Sequence, residues 1–486
     1  MQKKLFPKST TARLLPLLGV LLTNAVTAAE PQTNQRPNFL FIYADDQRWD
    51  AIGVVQKEQG DKARFPWFQT PNLDRLASQG IRFRNAFCTN SLSAPSRACF
   101  LTGRYNHLNG VVNNHIPFPL DSVTYASLLK DAGYTTGYIG KWHMAMQKER
   151  PGFVYSASYI GQGTYTDAGF LVNEQPSDVK GYVDDVATDF AVDFLKNNKD
   201  KPFALVVGFK SPHVPFDPAP RNKTLFTGEV VKPAENQQPL PPYAIDRCRQ
   251  RLSIDSPKLL NYFRCIAGAD QNLGRLMDTL AELGLSKNTI VVYTSDNGFL
   301  MGEHGLSDKR AAYEESMRIP FIVKVPGVKG GNKTVDDIIL NIDLAPTFLD
   351  YAGVAIPKEM QGRSMRPLLE GKQVADWRKS FFYEYFYEKN FETPTIAALR
   401  SPNGKLIQYP GHEEWTQIFD LAQDPIETKN AFLNPEYKAT RAKLEAEMEA
   451  ERQHVGYVVP AAADPVPEKL GGENDGKAKG AQKGGE

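Results

Sequence analysis

The chain has 486 residues, 41% of them hydrophobic and 23% charged, with a formal net charge of +1. That length allows a large core and more than one folding unit. The near-neutral balance excludes the basic footprint of a nucleic-acid-binding protein, so no nucleic-acid partner is expected.

In chain order, residues 1–28 read as a secretory signal. Lys3, Lys4, Lys8 and Arg13 form a basic start, residues 14–22 a short apolar stretch, and Val26-Thr27-Ala28-Ala29 a small-residue cleavage site. An uncleaved anchor is the alternative, but the apolar stretch falls well short of the roughly 20 residues a span needs. The expected location is therefore periplasmic or secreted, with no stable membrane insertion after cleavage. A catalytic domain is expected over residues 30–380. Residues 38–44 form a continuous apolar run that ends in Asp45-Asp46, the pattern of a strand buried on both faces. Residues 204–209 repeat it, as do residues 289–294, which lead into Ser295-Asp296-Asn297-Gly298. Helical patterns lie between, at 124–132 closed by Gly133 and at 259–283 closed by Gly284. The alternation predicts an α/β class: a large, mostly parallel central sheet sandwiched by helices. A small C-terminal α+β domain with an antiparallel sheet is predicted over 381–460. Its signals are the aromatic run 381–387, a hairpin across Pro402-Asn403-Gly404, a strand at 416–421 and a helix at 437–454. Residues 467–486, rich in Gly, Lys and Glu, read as a disordered tail. The four cysteines, Cys88, Cys99, Cys248 and Cys265, allow three pairings, and the sequence does not choose among them.

Ligands of such folds bind beyond the carboxyl ends of the strands. Asp45, Asp46, Asp296 and Asn297 all follow strand ends, and three carboxylates with an amide make an oxygen-rich site for a hard cation such as Ca²⁺. Taken alone, each of these residues reads as a turn or a helix cap. The most specific segment is Ser93-Ala94-Pro95-Ser96-Arg97-Ala98-Cys99-Phe100-Leu101-Thr102-Gly103-Arg104. A serine-rich loop capping a helix is its bland reading. The twelve residues resemble the sulfatase signature, Cys or Ser followed by x-Pro-x-Arg and then Leu-Thr-Gly-Arg.

The resemblance implies an alkaline-phosphatase-like fold and a formylglycine (3-oxoalanine) made from Ser93 before folding completes. The hydrate of that aldehyde would act as the nucleophile that opens a sulfate ester. It also implies a serine-type maturase of the radical-SAM class in a bacterial source. Asp45, Asp46, Asp296 and Asn297, with the modified Ser93, would form the family's calcium site. Gly140-Lys141-Trp142-His143, Pro212-His213 and the Lys309 that follows Gly302-Glu303-His304-Gly305 resemble further family blocks. Carried over residue by residue, Arg97 and Lys141 hold the modified residue and Lys309 binds sulfate. His213 protonates the leaving oxygen and His143 handles the diol proton, with the two histidine roles open to exchange. Residues 103–114 look similar to those of carbohydrate sulfatases, which implies a sulfated poly- or oligosaccharide substrate. Arg48, His115, Glu303 and His304 are the expected pocket residues. The alternatives are a phosphate mono- or diesterase of the same superfamily, a small-molecule arylsulfatase or choline-sulfatase-like enzyme, and a non-catalytic sugar-binding relative.

Overall fold

The central sheet grows from strands that are apolar on both faces. It contains β1 (Asn38–Ala44), β2 (Thr135–Lys141), β3 (Tyr155–Tyr159), β4 (Phe203–Gly208), β5 (Thr289–Ser295) and β6 (Phe321–Lys324). The structure, a computed structural model, describes residues 1–2, 36–243 and 256–466. Apart from its first two residues, the expected signal segment lies outside the described residues, as do the tail at 467–486 and Cys248.

Among the described residues the sheet has ten strands. Its centre runs β5-β1-β4-β2-β3, all parallel. Antiparallel pairings close both sides, with β6 on β5 and the short strand Leu171–Val172 on β3. Alternate residues of β1 serve opposite faces. Leu40, Ile42 and Ala44 join the core beneath the helices α2 (Val183–Asn197) and α3 (Ser256–Glu282). Phe39, Phe41 and Tyr43 join the core on the side of α1 (Ser93–Thr102). This is the expected sandwich of helices around a sheet with a parallel centre. The expected helix after Thr124 is present at Tyr125–Asp131, where Thr124 and Ser127 form a reciprocal cap.

The sequence pattern did not reveal β2, and two glycines explain why. A Cβ on Gly137 would lie 2.7 Å from the Phe194 ring, and one on Gly140, at φ +87°, would lie 2.1 Å from the Gly208 carbonyl oxygen. The strand must be thin there to pass α2 and β4, so the apolar periodicity is interrupted where packing is tightest.

The second sheet is antiparallel: β7 (Phe381–Tyr385), β8 (Ile396–Ser401), β9 (Gly404–Gln408) and β10 (Gln417–Asp420), in that order. Helix α4 (Lys438–Val455) adds Leu444, Met448 and Val455 to its core. That core also takes Phe87, Leu92, Cys99 and Tyr105, which flank or belong to α1. The described residues from Arg36 to Val466 form one compact unit. Glu384 of β7 accepts the backbone amides of Asn106 and His107 at 2.6 and 3.2 Å, and its other oxygen lies 2.7 Å from His107 Nδ1. Cys88, Cys99 and Cys265 are buried free thiols, so the local Cys88–Cys99 pair is not formed. Among the described residues, no helix is long and apolar enough to cross a membrane.

Candidate active site

The carboxyl ends of β1, β2, β4 and β5 converge with the amino end of α1. Asp45 and Asp46 leave β1, Asp296 and Asn297 leave β5, and all four are fully buried. Asp46 adopts φ +72°, and its amide donates to Asp296 Oδ1 at 3.0 Å, which fixes the two strand ends against each other. Gly298 allows the next approach, since a Cβ there would fall 2.0 Å from the Glu315 carbonyl oxygen. Ser93 is the first residue of α1, and its Oγ donates to Asp45 Oδ1 at 3.3 Å. The amide of Ala94 donates to Asn114 Oδ1 at 3.0 Å, so Asn114 satisfies one of the free donors at the start of the helix.

Three cations sit on these carboxylates. Arg97, one turn along α1, bridges Asp45 at 3.2 Å and Asp296 at 2.8 Å. Its Nη1 also donates to the carbonyls of Lys141 and Trp142. Lys141, the last residue of β2, is paired with Asp45 and donates to Gln162 Oε1 at 2.5 Å. Lys309 donates to both oxygens of Asp46 at 2.7 Å. His213 Nε2 lies 3.8 Å from Asp46 Oδ2. His143, at φ +51°, has a buried Nδ1 with no hydrogen-bond partner among the described residues.

Burial governs the protonation states, and neighbouring charges then divide them. Burial pushes Asp45 up, but the cations beside it, Lys141 first and then Arg97 and Lys309, outweigh it and hold the carboxyl well below its usual range. Asp46 and Asp296 are pushed up by burial first and then by the neighbouring Asp45 charge. His143 and His213 are held well below the ordinary histidine value, by burial first and then by Lys141, so both rings are neutral at pH 7.

A cation fits this donor set. Asn297 Nδ2 donates to Asp46 Oδ1 at 2.8 Å and to the Gly298 carbonyl, while its Oδ1 is buried without a hydrogen-bond partner among the described residues. A fully buried amide oxygen left unpaired beside three carboxylates is the ligand that a hard cation lacks. Asp45, Asp46 and His213 also place ligand atoms within 4.8 Å of one another.

The structure thus brings together Ser93, Arg97, Lys141, His143, His213, Lys309, Asp45, Asp46, Asp296 and Asn297. The four expected pocket residues sit differently. Arg48 and Glu303 are each 2% exposed and are paired with each other at 2.6 Å, and Glu303 is also paired with Arg64. Arg48 is further held by Asp50 at 2.8 Å. Their charges are spent on one another rather than offered to a ligand. His304, at φ +51°, stacks on Tyr313 at 3.7 Å and is buried near Glu315 and Glu427. His115 is exposed, and the preceding residue, Asn114, is the one that binds the start of α1.

Glu303 yields a pH prediction. Burial raises its pKa, but Arg48 and Arg64 outweigh that and bring it down to about 2. A depressed carboxylate stabilises the fold fully above its ordinary value near 4.5 and loses that contribution as pH falls towards 2. Glu303→Gln is expected to cost about 3 kcal/mol at pH 7. In thermal unfolding across pH, the gap between variant and wild type should close below about pH 4.5.

Sequence reasoning missed three residues at the site: Asn114, Gln162 and Lys210. Gln162 lies in the turn Gly161-Gln162-Gly163, and nothing local marks it. Lys210 stands three residues before His213, so its position in the chain did offer a signal.

Comparisons with known proteins identify a family for this chain. A family described as "Sulfatase" matches residues 37–354, and one described as "N-sulphoglucosamine sulphohydrolase, C-terminal" matches residues 302–454. An "N-acetylglucosamine-6-O-sulfatase" of Bacteroides thetaiotaomicron is 34% identical, over 89% of this chain and 88% of the relative. The human "N-acetylglucosamine-6-sulfatase" is 28% identical, over 81% of this chain and 75% of that one. A solved structure described as in complex with its substrate D-glucosamine-2-N,6-O-disulfate superposes with a TM-score of 0.79 at 32% identity. It covers 87% of this chain and 98% of that one.

Proposed function

The chain belongs to the sulfatase family, as a sulfuric ester hydrolase of its carbohydrate branch, and from that premise we propose that it removes a 6-O-sulfate from glucosamine in a sulfated glycan. The observation that carries the reading is the juxtaposition of Ser93 with Asp45 and with the unpaired oxygen of Asn297, at the start of a helix. Formylglycine made from Ser93 would supply a diol nucleophile. Asp45, Asp46, Asp296, Asn297 and residue 93 would hold a Ca²⁺ that polarises the sulfate.

The chain's own residues have distinct tasks in this reading. Arg97 fixes the carboxylates and the base of β2, which keeps residue 93 in one orientation. Lys141 and Lys309 present preorganised positive charge where the sulfate oxygens gain electron density. A sugar alkoxide is a poor leaving group and needs a proton. His213, neutral in its buried setting, would gain a proton beside the anionic ester and give it to that oxygen. His143, whose Nδ1 is unpartnered, would take the proton of the diol when sulfate is released, and the two roles are open to exchange. We place the enzyme in the periplasm or outside a bacterial cell, matured by a radical-SAM enzyme acting on Ser93.

Sulfate release from glucosamine 6-sulfate by the mature protein tests the activity, and a matured sample that frees none from a panel of sulfated sugars would overturn it. The cation is tested separately. Asn297→Ala is expected to weaken calcium binding about tenfold in a calorimetric titration, since it removes one oxygen ligand of a small set. Unchanged affinity would count against Asn297 as a ligand.

A further inference from the structure

Gln162 is gripped between two lysines. Its Oε1 accepts from Lys141 Nζ at 2.5 Å, and its backbone carbonyl accepts from Lys210 Nζ at 2.9 Å. An ammonium has no acceptor, so the amide oxygen must face Lys141. The Nε2 end is therefore directed away from that ammonium, and it makes no hydrogen bond among the described residues. Gln162 is half-buried, whereas the two lysines beside it are buried. The backbone around it has little freedom. Gly161 and Gly163 both have φ +61°, and a Cβ on Gly163 would lie 2.4 Å from the Tyr159 ring.

Lys210 adds to the case. It is 2% exposed, lies 5.1 Å from the centre of the Tyr165 ring and has no carboxylate at ion-pair distance among the described residues. Asp184 accepts the amides of Lys210 and Ser211, which pins the loop that carries it. Arg97, Lys141, Lys309 and Lys210 thus stand against the four carboxylates Asp45, Asp46, Asp184 and Asp296. A bound divalent cation would put positive charge in excess, and an anion would complete the centre.

We infer that Gln162 is a ligand-binding residue of this centre, whose amide N–H donates to an oxygen of the bound sulfate group while its carbonyl end positions Lys141. This rests on the sulfatase reading above. A neutral amide suits the place because one end can accept from the lysine while the other donates to the anion. A glutamate there would hold Lys141 equally well but would repel the anion.

The test measures inorganic sulfate binding by calorimetry on the calcium-loaded protein with Ser93 unmodified, so that binding is read without turnover. Gln162→Met should weaken sulfate about tenfold, and Gln162→Glu about a hundredfold, with calcium affinity unchanged in both. In the mature enzyme Gln162→Met should raise KM more than it lowers kcat. Sulfate affinity in Gln162→Glu within twofold of wild type overturns the inference, as does a loss that tracks calcium affinity or melting temperature instead. If wild type both binds sulfate and releases it from substrate while the variants match it, Gln162 alone is refuted. If wild type does neither, the sulfatase reading falls and this inference falls with it.

Discussion

Ser93→Ala is expected to give a folded protein whose sulfate release is lower by about 10⁴-fold or more. The stability half of that expectation follows from the small structural role of the hydroxyl. Ser93 Oγ makes one hydrogen bond, to Asp45 at 3.3 Å. The N-cap of α1 is Leu92, so no cap is lost with the serine. Alanine is the best helix former, and the net change should stay within about 1 kcal/mol. The activity half follows because no other group at the centre can attack sulfur. Lys141, Lys309 and Arg97 are bound to carboxylates, Lys210 is held by the Gln162 carbonyl, and the imidazoles would serve as proton carriers. Sulfate release and thermal unfolding, measured on one preparation, separate the two halves. In active wild type the Ser93 peptide should be two hydrogens lighter than its sequence mass. A native preparation that turns over with an unmodified serine would refute the nucleophile.

Arg97→Ala should do the opposite, damaging the fold and the chemistry together. The guanidinium is 2% exposed, bridges Asp45 and Asp296, donates to two carbonyls at the end of β2, and lies 5.1 Å from the Tyr43 ring centre. Removing it leaves buried carboxylates short of one counter-charge, which costs about 3–5 kcal/mol. Because a bound divalent cation would restore part of that charge, the loss in melting temperature should be smaller with saturating calcium than in chelator. Arg97→Lys should recover only part of the stability, since an ammonium cannot span both carboxylates and both carbonyls. Equal destabilisation with and without calcium would argue that Arg97 and the cation do not share these ligands.

The legible parts of this molecule were those whose signal is local. β1 and β5 read as strands because both of their faces are buried, and each ends in the acids that the site uses. The segment from Ser93 to Arg104 is contiguous in the chain and in space. β2 was illegible because Phe194 and the Gly208 carbonyl leave no room for a side chain at Gly137 and Gly140. Arg48 and Glu303 were expected to line the pocket. They lie 255 positions apart, so their pairing appears only in the fold. Gln162 was missed for a similar reason: what distinguishes it is the return of a loop to Lys141, which no spacing encodes, whereas the place of Lys210 three residues before His213 was a signal left unused.

The carboxylate of Glu384 carries a last consequence. It reaches from the smaller sheet to the peptide that follows α1, while His107 Nε2 lies 2.9 Å from the Val455 carbonyl at the far end of α4. The helix bearing Ser93 is therefore braced by residues that come nearly three hundred and three hundred and fifty positions later. The smaller sheet is not a module that can be trimmed or exchanged at will. A chimera that borrows it from a relative needs an acid at position 384 and a helix end at 455, or the reactive turn loses its backing. During synthesis, too, the catalytic centre cannot reach its final shape until residue 455 has emerged.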